Sequence, residues 1–306
     1  MRAGLAAGLL LVAFAQPSAQ PSFRAGVDLV TVPVTVRHKD SARTVPEVTA
    51  TDLRVSENGA EQRISFVERD TRPLSLTIVL DVSSSMVGLS RTWADEAMQA
   101  VFGKLLPSDQ VSLIVFGGWP VTAVAWTTAS AIEGLGWAQW VTSPETALID
   151  AVQAALESMD TAANDRGVVL VLSDGLEIAS SLSISDVVQT RRQSETAVYA
   201  FEFDPAWDAE GHWQVPRRLR LAATPQIHTR YMEQLVGDSG GAVHAISTNE
   251  AVAASTAALM SDLRSQYIVG YTSTRAMDGK YRRIKVEARD KIVRVRHRGG
   301  YLAIPR

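Results

Sequence analysis

The chain contains no cysteine in 306 residues. That excludes disulfide cross-links, thiol nucleophiles and every thiolate metal site, so stability has to come from packing and from any bound ion. Histidine is scarce, with five residues, and His212 and His228 stand too isolated to read as ligands. Excess charge is lacking too: 30 Lys plus Arg against 33 Asp plus Glu give a formal net charge of -3. Without a whole-chain field to gather nucleic acid or an anionic membrane, the expected partner is a protein or small molecule and not nucleic acid. Long apolar runs are missing. The longest, Ala3 to Ala15, falls short of the ~20 residues that a membrane-spanning helix needs, and no later segment is long and apolar enough to span. No internal repeat or low-complexity linker interrupts the chain. What is there is 46% hydrophobic and 21% charged, ordinary globular usage for one large domain and a smaller one.

The first residues read as a targeting signal, residues 1–15. Arg2 precedes the apolar run, polar Gln16, Pro17 and Ser18 follow it, and Ala13-Phe14-Ala15 supplies a small-x-small cleavage pattern. The expectation is a mature chain beginning near Gln16, exported to the periplasm, the extracellular space or the cell surface, with no transmembrane span.

Past the signal, Val30, Val32, Val34 and Val36 alternate with Thr31, Pro33 and Thr35, the period of a half-buried strand, with Pro33 pointing to a sheet edge. Leu53 to Glu57 and Ile64 to Glu68 flank Asn58-Gly59, a strong hairpin-turn signal. From Leu74 the texture changes to short continuous apolar runs separated by amphipathic helices, as in a parallel sheet covered on both faces. The candidate strands are Leu76 to Leu80, Val111 to Phe116, Val168 to Leu172, Ala197 to Phe203 and Ala242 to Ile246, with Val121 to Trp126 in a hairpin beside the second. Trp93, Ala97, Val101 and Leu105 mark one helix, and Leu148, Val152, Ala155, Leu156 and Met159 another. After a last helix over Ala251 to Leu263, alternation returns in Tyr267 to Tyr271, Ile284 to Ala288 and Val293 to Val295.

Both ends are therefore β and the middle α/β. The expected fold is a doubly wound, mostly parallel, Rossmann-like sheet over residues 73–265, inserted into a small β-module built from flanks 23–72 and 266–306. Isolated hairpins bury too little to stand alone.

The first apolar strand ends in Asp81-Val82-Ser83-Ser84-Ser85. A carboxylate and two hydroxyls at alternate positions can converge just beyond the carboxyl end of a strand, where open α/β sheets bind ligands. Oxygen donors alone suit a hard cation, Mg²⁺ ahead of Mn²⁺ and Ca²⁺. Taken by itself, Asp-x-Ser-x-Ser equally suits a helix N-terminus. Two further donors stand where later strand ends should bring them to the same rim: Thr146, opening the helix Ala147 to Met159, and Asp174 after Val168 to Leu172.

Together, Asp81-x-Ser83-x-Ser85, Thr146 in Thr-Ala-Leu-Ile-Asp-Ala, and Ser173-Asp174-Gly175 resemble the metal-ion-dependent adhesion site (MIDAS) of the von Willebrand factor type A (vWA) family over about residues 74–265. The resemblance implies that Ser83 and Ser85 ligate directly, that Thr146 joins in one state of the domain, and that Asp81 and Asp174 bind directly or through water. It also implies a partner carboxylate, from Asp or Glu, on the ion. The flanks Asp52 to Gly59 and Ser265 to Tyr271 resemble an exported bacterial VWFA-related subgroup. One departure is Gly237-Asp238-Ser239-Gly240-Gly241, where relatives usually have a Thr-Gly-Gly turn.

That pentapeptide is also the nucleophile motif of trypsin-like proteases. His38, His212 and His228 precede Ser239, but none lies in an Ala-Ala-His context and the α/β texture contradicts a double β-barrel; a glycine turn into a strand is the better reading. A dehalogenase-type phosphatase would want an acid at Ser83, and Gly103-Lys104 lacks the rest of a phosphate loop. Arg282, Arg283, Lys285, Lys291, Arg294, Arg296 and Arg298 read as the solvated face of strands rather than a polyanion site. Trp126, Trp137 and Trp140 are expected in the core, whereas Trp119 and Trp213 fall in loops and are candidate contact residues. The sequence thus points to a metal-dependent binding module and not an enzyme, with a purely structural ion as the second reading.

Overall fold

A computed structural model describes residues 29–41, 43–86, 88–132, 140, 142–203 and 225–304, with backbone alone for 225–230. The targeting segment, Trp137, His212, Trp213 and the His228 side chain lie outside them. Four strands come first: β1 (Leu29–His38), β2 (Leu53–Glu57), β3 (Ala60–Gln62) and β4 (Ile64–Arg69). The α/β region follows, with β5 (Leu74–Asp81), α1 (Leu89–Phe102), β6 (Gln110–Phe116), β7 (Pro120–Thr127), α2 (Leu148–Ser158), β8 (Arg166–Ser173), α3 (Ile184–Gln193), β9 (Ala197–Phe203), α4 (Pro225–Val236), β10 (Val243–Ile246) and α5 (Asn249–Arg264). Strands β11 (Tyr267–Thr272), β12 (Tyr281–Ala288), β13 (Val293–His297) and β14 (Gly300–Leu302) complete the chain.

The central sheet runs β10-β9-β8-β5-β6-β7 and is parallel except for β7, which returns antiparallel along β6. Every residue of β5 is buried, which is why that strand reads as a continuous run rather than an alternation. Leu76, Ile78 and Leu80 pack with α1 and α5 on one face, while Val79, Val169 and Val171 pack with α2, α3 and α4 on the other. The doubly wound sheet expected from the sequence is present. Helix α5 starts two residues before the apolar periodicity indicates, because Thr248 Oγ1 accepts a hydrogen bond from Ala251 N at 3.1 Å and caps the turn. Helix α3 gives little periodic signal because it buries only Val187 and Arg191, and the Ser183–Asp186 capping box defines its start.

The two flanks form two four-stranded sheets, β13-β1-β11-β4 and β14-β12-β2-β3, each mixing strands from both ends of the chain. Val32, Val34, Leu53, Val55, Val269, Tyr271, Ile284 and Val286 fill the space between them. Two local expectations are corrected here. Strand β1 lies inside its sheet rather than at an edge. Pro33 is tolerated because β11 pairs with residues 29–34 and β13 only from Val34 onward, leaving a strand on one side of the proline. The Asn58-Gly59 turn, with φ values of 48° and 83°, joins β2 to the short β3 and not to residues 64–68. The chain breaks at Arg63, and β4 crosses to pair with β11 in the other sheet.

Arginines join the module to the α/β domain. Asp262 on α5 receives Arg37 from β1 and Arg296 from β13. Arg166 on β8 reaches Asp70 at 3.2 Å and Gln266 Oε1 at 2.8 Å. The basic carboxyl-terminal strands are therefore not a uniformly solvated face. Arg283, Lys285, Lys291 and Arg294 are exposed, but Arg282 and Arg298 are buried, and Arg282 meets Glu57 at 3.0 Å. Alternation shows which residues share a face, not that a charged residue has a buried acid opposite.

Candidate functional site

The order of the central sheet reverses at β5, which has β8 on one side and β6 on the other. Beyond the carboxyl end of a strand at such a point, the loops diverge and leave a crevice. Asp81 ends β5 and is fully buried; Ser83 is also buried, and Ser85 is partly exposed. Asp81 Oδ1 accepts from Ser83 N at 2.8 Å and Oδ2 accepts from Ser173 Oγ, at the end of β8, at 2.6 Å. This tight turn brings the Ser83 and Ser85 hydroxyls to 3.0 Å from each other.

Thr146 is placed by the loops around it. Ser143 forms a bridge with Ser83, its carbonyl accepting from Ser84 N at 2.7 Å and its own N–H donating to the Val82 carbonyl at 3.1 Å. The Thr146 carbonyl accepts from Ile178 N and Ala179 N, each at 3.0 Å, and Ala147 N donates to the Gly117 carbonyl. Gly117 permits this approach, since a Cβ there would lie 2.2 Å from Ser143 Cβ. Thr146 precedes the helix rather than capping it, and no side chain of its neighbour Ala147 caps α2. Glu177 does that work, with Oε2 accepting from Ile149 N at 2.9 Å and from Ser180 Oγ at 2.7 Å. Asp81 at the end of β5, and Ser83, Ser85, Thr146 and Asp174 on the loops beyond the strands, thus stand at one rim.

Ser143, Ser173 and Glu177 escape a reading by motif. Ser173 lies inside the Ser-Asp-Gly triplet, but its role as hydroxyl donor to Asp81 appears only when β5 and β8 are neighbours. Ser143 and Glu177 carry no sequence signal for their positions.

Burial, and then the charge of Asp174, push the Asp81 carboxyl up to about 7 against the opposing hydrogen bonds from Ser173 and Ser83. Thr146 Oγ1 is buried and has no hydrogen-bond partner among the described residues, a costly state for a hydroxyl unless something else engages it. Two carboxylates and three hydroxyls, one of them orphaned, match the donor chemistry of a small hard cation. Among the described residues there is no group of three or more His, Cys, Asp and Glu placed to hold a metal, so any such ion would depend on the hydroxyls.

The Gly237 to Gly241 pentapeptide lies elsewhere. Ser239 Oγ accepts from Val198 N at 3.0 Å and from Gly241 N at 3.1 Å and donates to the Val198 carbonyl at 3.2 Å. A Cβ at Gly241 would lie 1.7 Å from that carbonyl, so the turn seals against β9. The backbone of Ser239 also bridges to Arg298, which makes this turn a clasp between the α/β domain and the flank.

A mostly parallel sheet covered by helices on both faces, with a switch point at β5, is the α/β architecture of a vWA-type domain. Residues 76–177 match the family model of the von Willebrand factor type A domain, so the chain carries a domain of that family; the matched stretch includes all five residues above. Among solved structures, a von Willebrand factor type A protein from Catenulispora acidiphila aligns with a TM-score of 0.50 at 11% identity, over 92% of this chain and 73% of that one. Conserved hypothetical protein BatB from Bacteroides thetaiotaomicron aligns at 0.46 and 18% identity, over 63% of this chain and 100% of that one. An aerotolerance-related membrane protein from Bacteroides fragilis aligns at 0.45 and 17%, over 62% and 98%. The Catenulispora likeness is one of fold. No curated protein matches the chain.

Proposed function

We propose that this chain is an exported, divalent-cation-dependent protein-binding module in which Ser83, Ser85, Thr146, Asp81 and Asp174 hold one Mg²⁺. The observation that carries the reading is the buried Thr146 hydroxyl left without a hydrogen-bond partner among the described residues, and the Ser83–Ser85 hydroxyl pair and the charge of Asp174 acting on Asp81 support it. Held by these residues, Mg²⁺ would offset the charge of Asp81 and Asp174 and would supply an electrophile able to take a carboxylate oxygen from a partner's Asp or Glu. Ser173 and the Ser83 amide hold Asp81 in place, and the Thr146 backbone hangs between the β6–β7 loop and the loop after β8.

Binding rather than catalysis is the proposed role. The Gly-Asp-Ser-Gly-Gly motif spends the Ser239 hydroxyl on the backbone of β9 and Gly241, which supports a structural turn. No helix among the described residues is long and apolar enough to cross a membrane, and we place the protein outside the cytoplasm on the strength of residues 1–15; a native amino terminus at Met1 would refute that.

The test of the site is Mg²⁺ titration of the full chain by calorimetry, with Asp81→Ala and Ser83→Ala as controls, and capture of partners from the native envelope with and without chelator. Mg²⁺ binding lost in both variants, with partner release by EDTA, is the expected result. If Mg²⁺ binds and raises the melting temperature but partner capture ignores EDTA, the ion is purely structural and the binding role fails.

A further inference from the structure

Exposed large hydrophobic side chains are few, and half of them collect at one place. Of the eight among the described residues, Trp119, Val121, Ile178 and Leu182 belong to the two segments that embrace Thr146. Trp119 is 71% exposed and follows Gly118, whose N–H donates to Ser143 Oγ at 3.1 Å. Ile178 is 53% exposed although its own N–H is fixed to the Thr146 carbonyl. Val121, the second residue of β7, lies opposite Val115 near the carboxyl end of β6. Leu182 is tied by its N–H to Asp150, in the first turn of α2, at 2.9 Å. These side chains project from backbone that is hydrogen-bonded to the site's own loops, so their positions relative to the site are set in advance.

A rigid apolar rim exposed to water has a cost that a partner removes, and tryptophan is the residue most enriched among the anchors of protein interfaces. An exposed acid beside Trp119 narrows the partner further. Glu145 is exposed, lies beside Gly118 and directly precedes Thr146. A partner segment rich in acids would meet it with like charge.

We propose that the rim is a contact surface for a protein loop carrying a single carboxylate flanked by apolar side chains, with Trp119 and Ile178 as the anchors on this chain. The proposal rests on the metal-carboxylate reading and specifies the partner's chemistry. The carboxylate goes to the centre, the neighbouring apolar residues cover Trp119 on the β6–β7 side and Ile178 on the β8 side, and Glu145 selects against further acids.

The experiment compares two blocked peptides, Ala-Leu-Asp-Leu-Ala and Ala-Gly-Asp-Gly-Ala, titrated into the full chain in Mg²⁺ and in EDTA and followed by NMR. The leucine-flanked peptide should bind about tenfold tighter, the scale of partial burial of two leucines. Trp119→Ala and Ile178→Ser should remove that preference while leaving the affinities for Mg²⁺ and the glycine-flanked peptide unchanged. Equal, Mg²⁺-dependent binding of the two peptides overturns this inference and leaves the metal site standing. A leucine preference that survives both substitutions overturns the assignment of the anchors. Failure of either peptide to respond to Mg²⁺ overturns the underlying reading and this one with it. Sedimentation of the same variants gives the remaining outcome: self-association that disappears in Trp119→Ala makes a second copy of the chain the occupant instead.

Discussion

Two buried carboxylates in this molecule meet opposite surroundings. Glu57, between the sheets of the β-module, is fully buried and receives Arg282 at 3.0 Å, Tyr271 at 2.9 Å, Ser273 at 3.0 Å and Tyr301 at 3.0 Å. Burial alone would raise its pKa, but these donors outweigh that and hold it below the usual glutamate value. Asp81, equally buried, meets Ser173, Ser83 and the charge of a second carboxylate, and is driven upward. The β-module supplies a counter-charge from within the chain, and the rim of the α/β domain gathers like charge and an orphaned hydroxyl. A self-contained network specifies structure; an electrostatically frustrated one is a place for something else to bind.

The largest effect should come from breaking the satisfied network. Arg282→Ala leaves the Glu57 charge buried without its cation and should cost about 3–5 kcal/mol, read by urea unfolding, with Mg²⁺ affinity unchanged in the fraction that stays folded. A loss below about 1 kcal/mol would mean that the network is not holding the two sheets together.

The frustrated site should respond with the opposite sign. In EDTA, Asp81→Asn removes one of two like charges and should raise the melting temperature, whereas in Mg²⁺ it should forfeit the ligand stabilisation, about 2.7 kcal/mol at a hundredfold excess over Kd. A variant less stable than wild type in EDTA and equally stabilised by Mg²⁺ would refute the contrast.

The pH dependence separates the two regions further. Asp81 has a raised folded pKa, so its ionisation penalty in the metal-free protein is fully present above about 7 and is relieved as pH falls toward the ordinary 3.8. Glu57 has a lowered one, so its contribution is fully present above 4.5 and is lost as pH falls through the folded value. In EDTA, Asp81→Asn should flatten the stabilisation seen on acidification from pH 7.5 to 5, and Glu57→Gln should lower stability by a constant amount above 4.5 and remove part of the acid-induced loss below it. Chemical denaturation across pH 3 to 8 reads both.

Smaller effects are expected at two hydroxyls. Thr146→Val removes a buried, unsatisfied hydroxyl, so it should leave the metal-free protein as stable or slightly more so while weakening Mg²⁺ binding about tenfold; thermal shift with and without Mg²⁺ tests this. Ser239→Ala should cost about 1–2 kcal/mol from the lost bonds to β9 and leave Mg²⁺ binding intact; unchanged stability would show that the side-chain bonds to β9 contribute nothing.

Much of this arrangement is legible in the chain because it is periodic or local. Continuous apolar runs mark β5 and β8 because both faces of those strands are covered, and Asp81 to Ser85 is a local turn whose spacing is itself the geometry. The signal weakens where a residue acts through a distant partner. Helix α3 buries too little to show a stripe, and Arg63 gives no sign that β4 will leave its hairpin neighbour for the opposite sheet. Pro33 signals an edge that exists only over half of a strand.

By itself, then, the sequence determined the class of fold, the β character of both flanks and which oxygen-bearing residues follow the ends of β5 and β8, since burial periodicity and residue chemistry belong to short stretches of chain. Only the tertiary structure decided that Glu57 finds Arg282 across 225 positions while Asp81 is set against Asp174, that Ser173 and Glu177 hold the site's loops, and that Trp119 and Ile178 stand exposed on either side of Thr146. Whether a buried charge is satisfied depends on what packs against it, and strand order makes that choice.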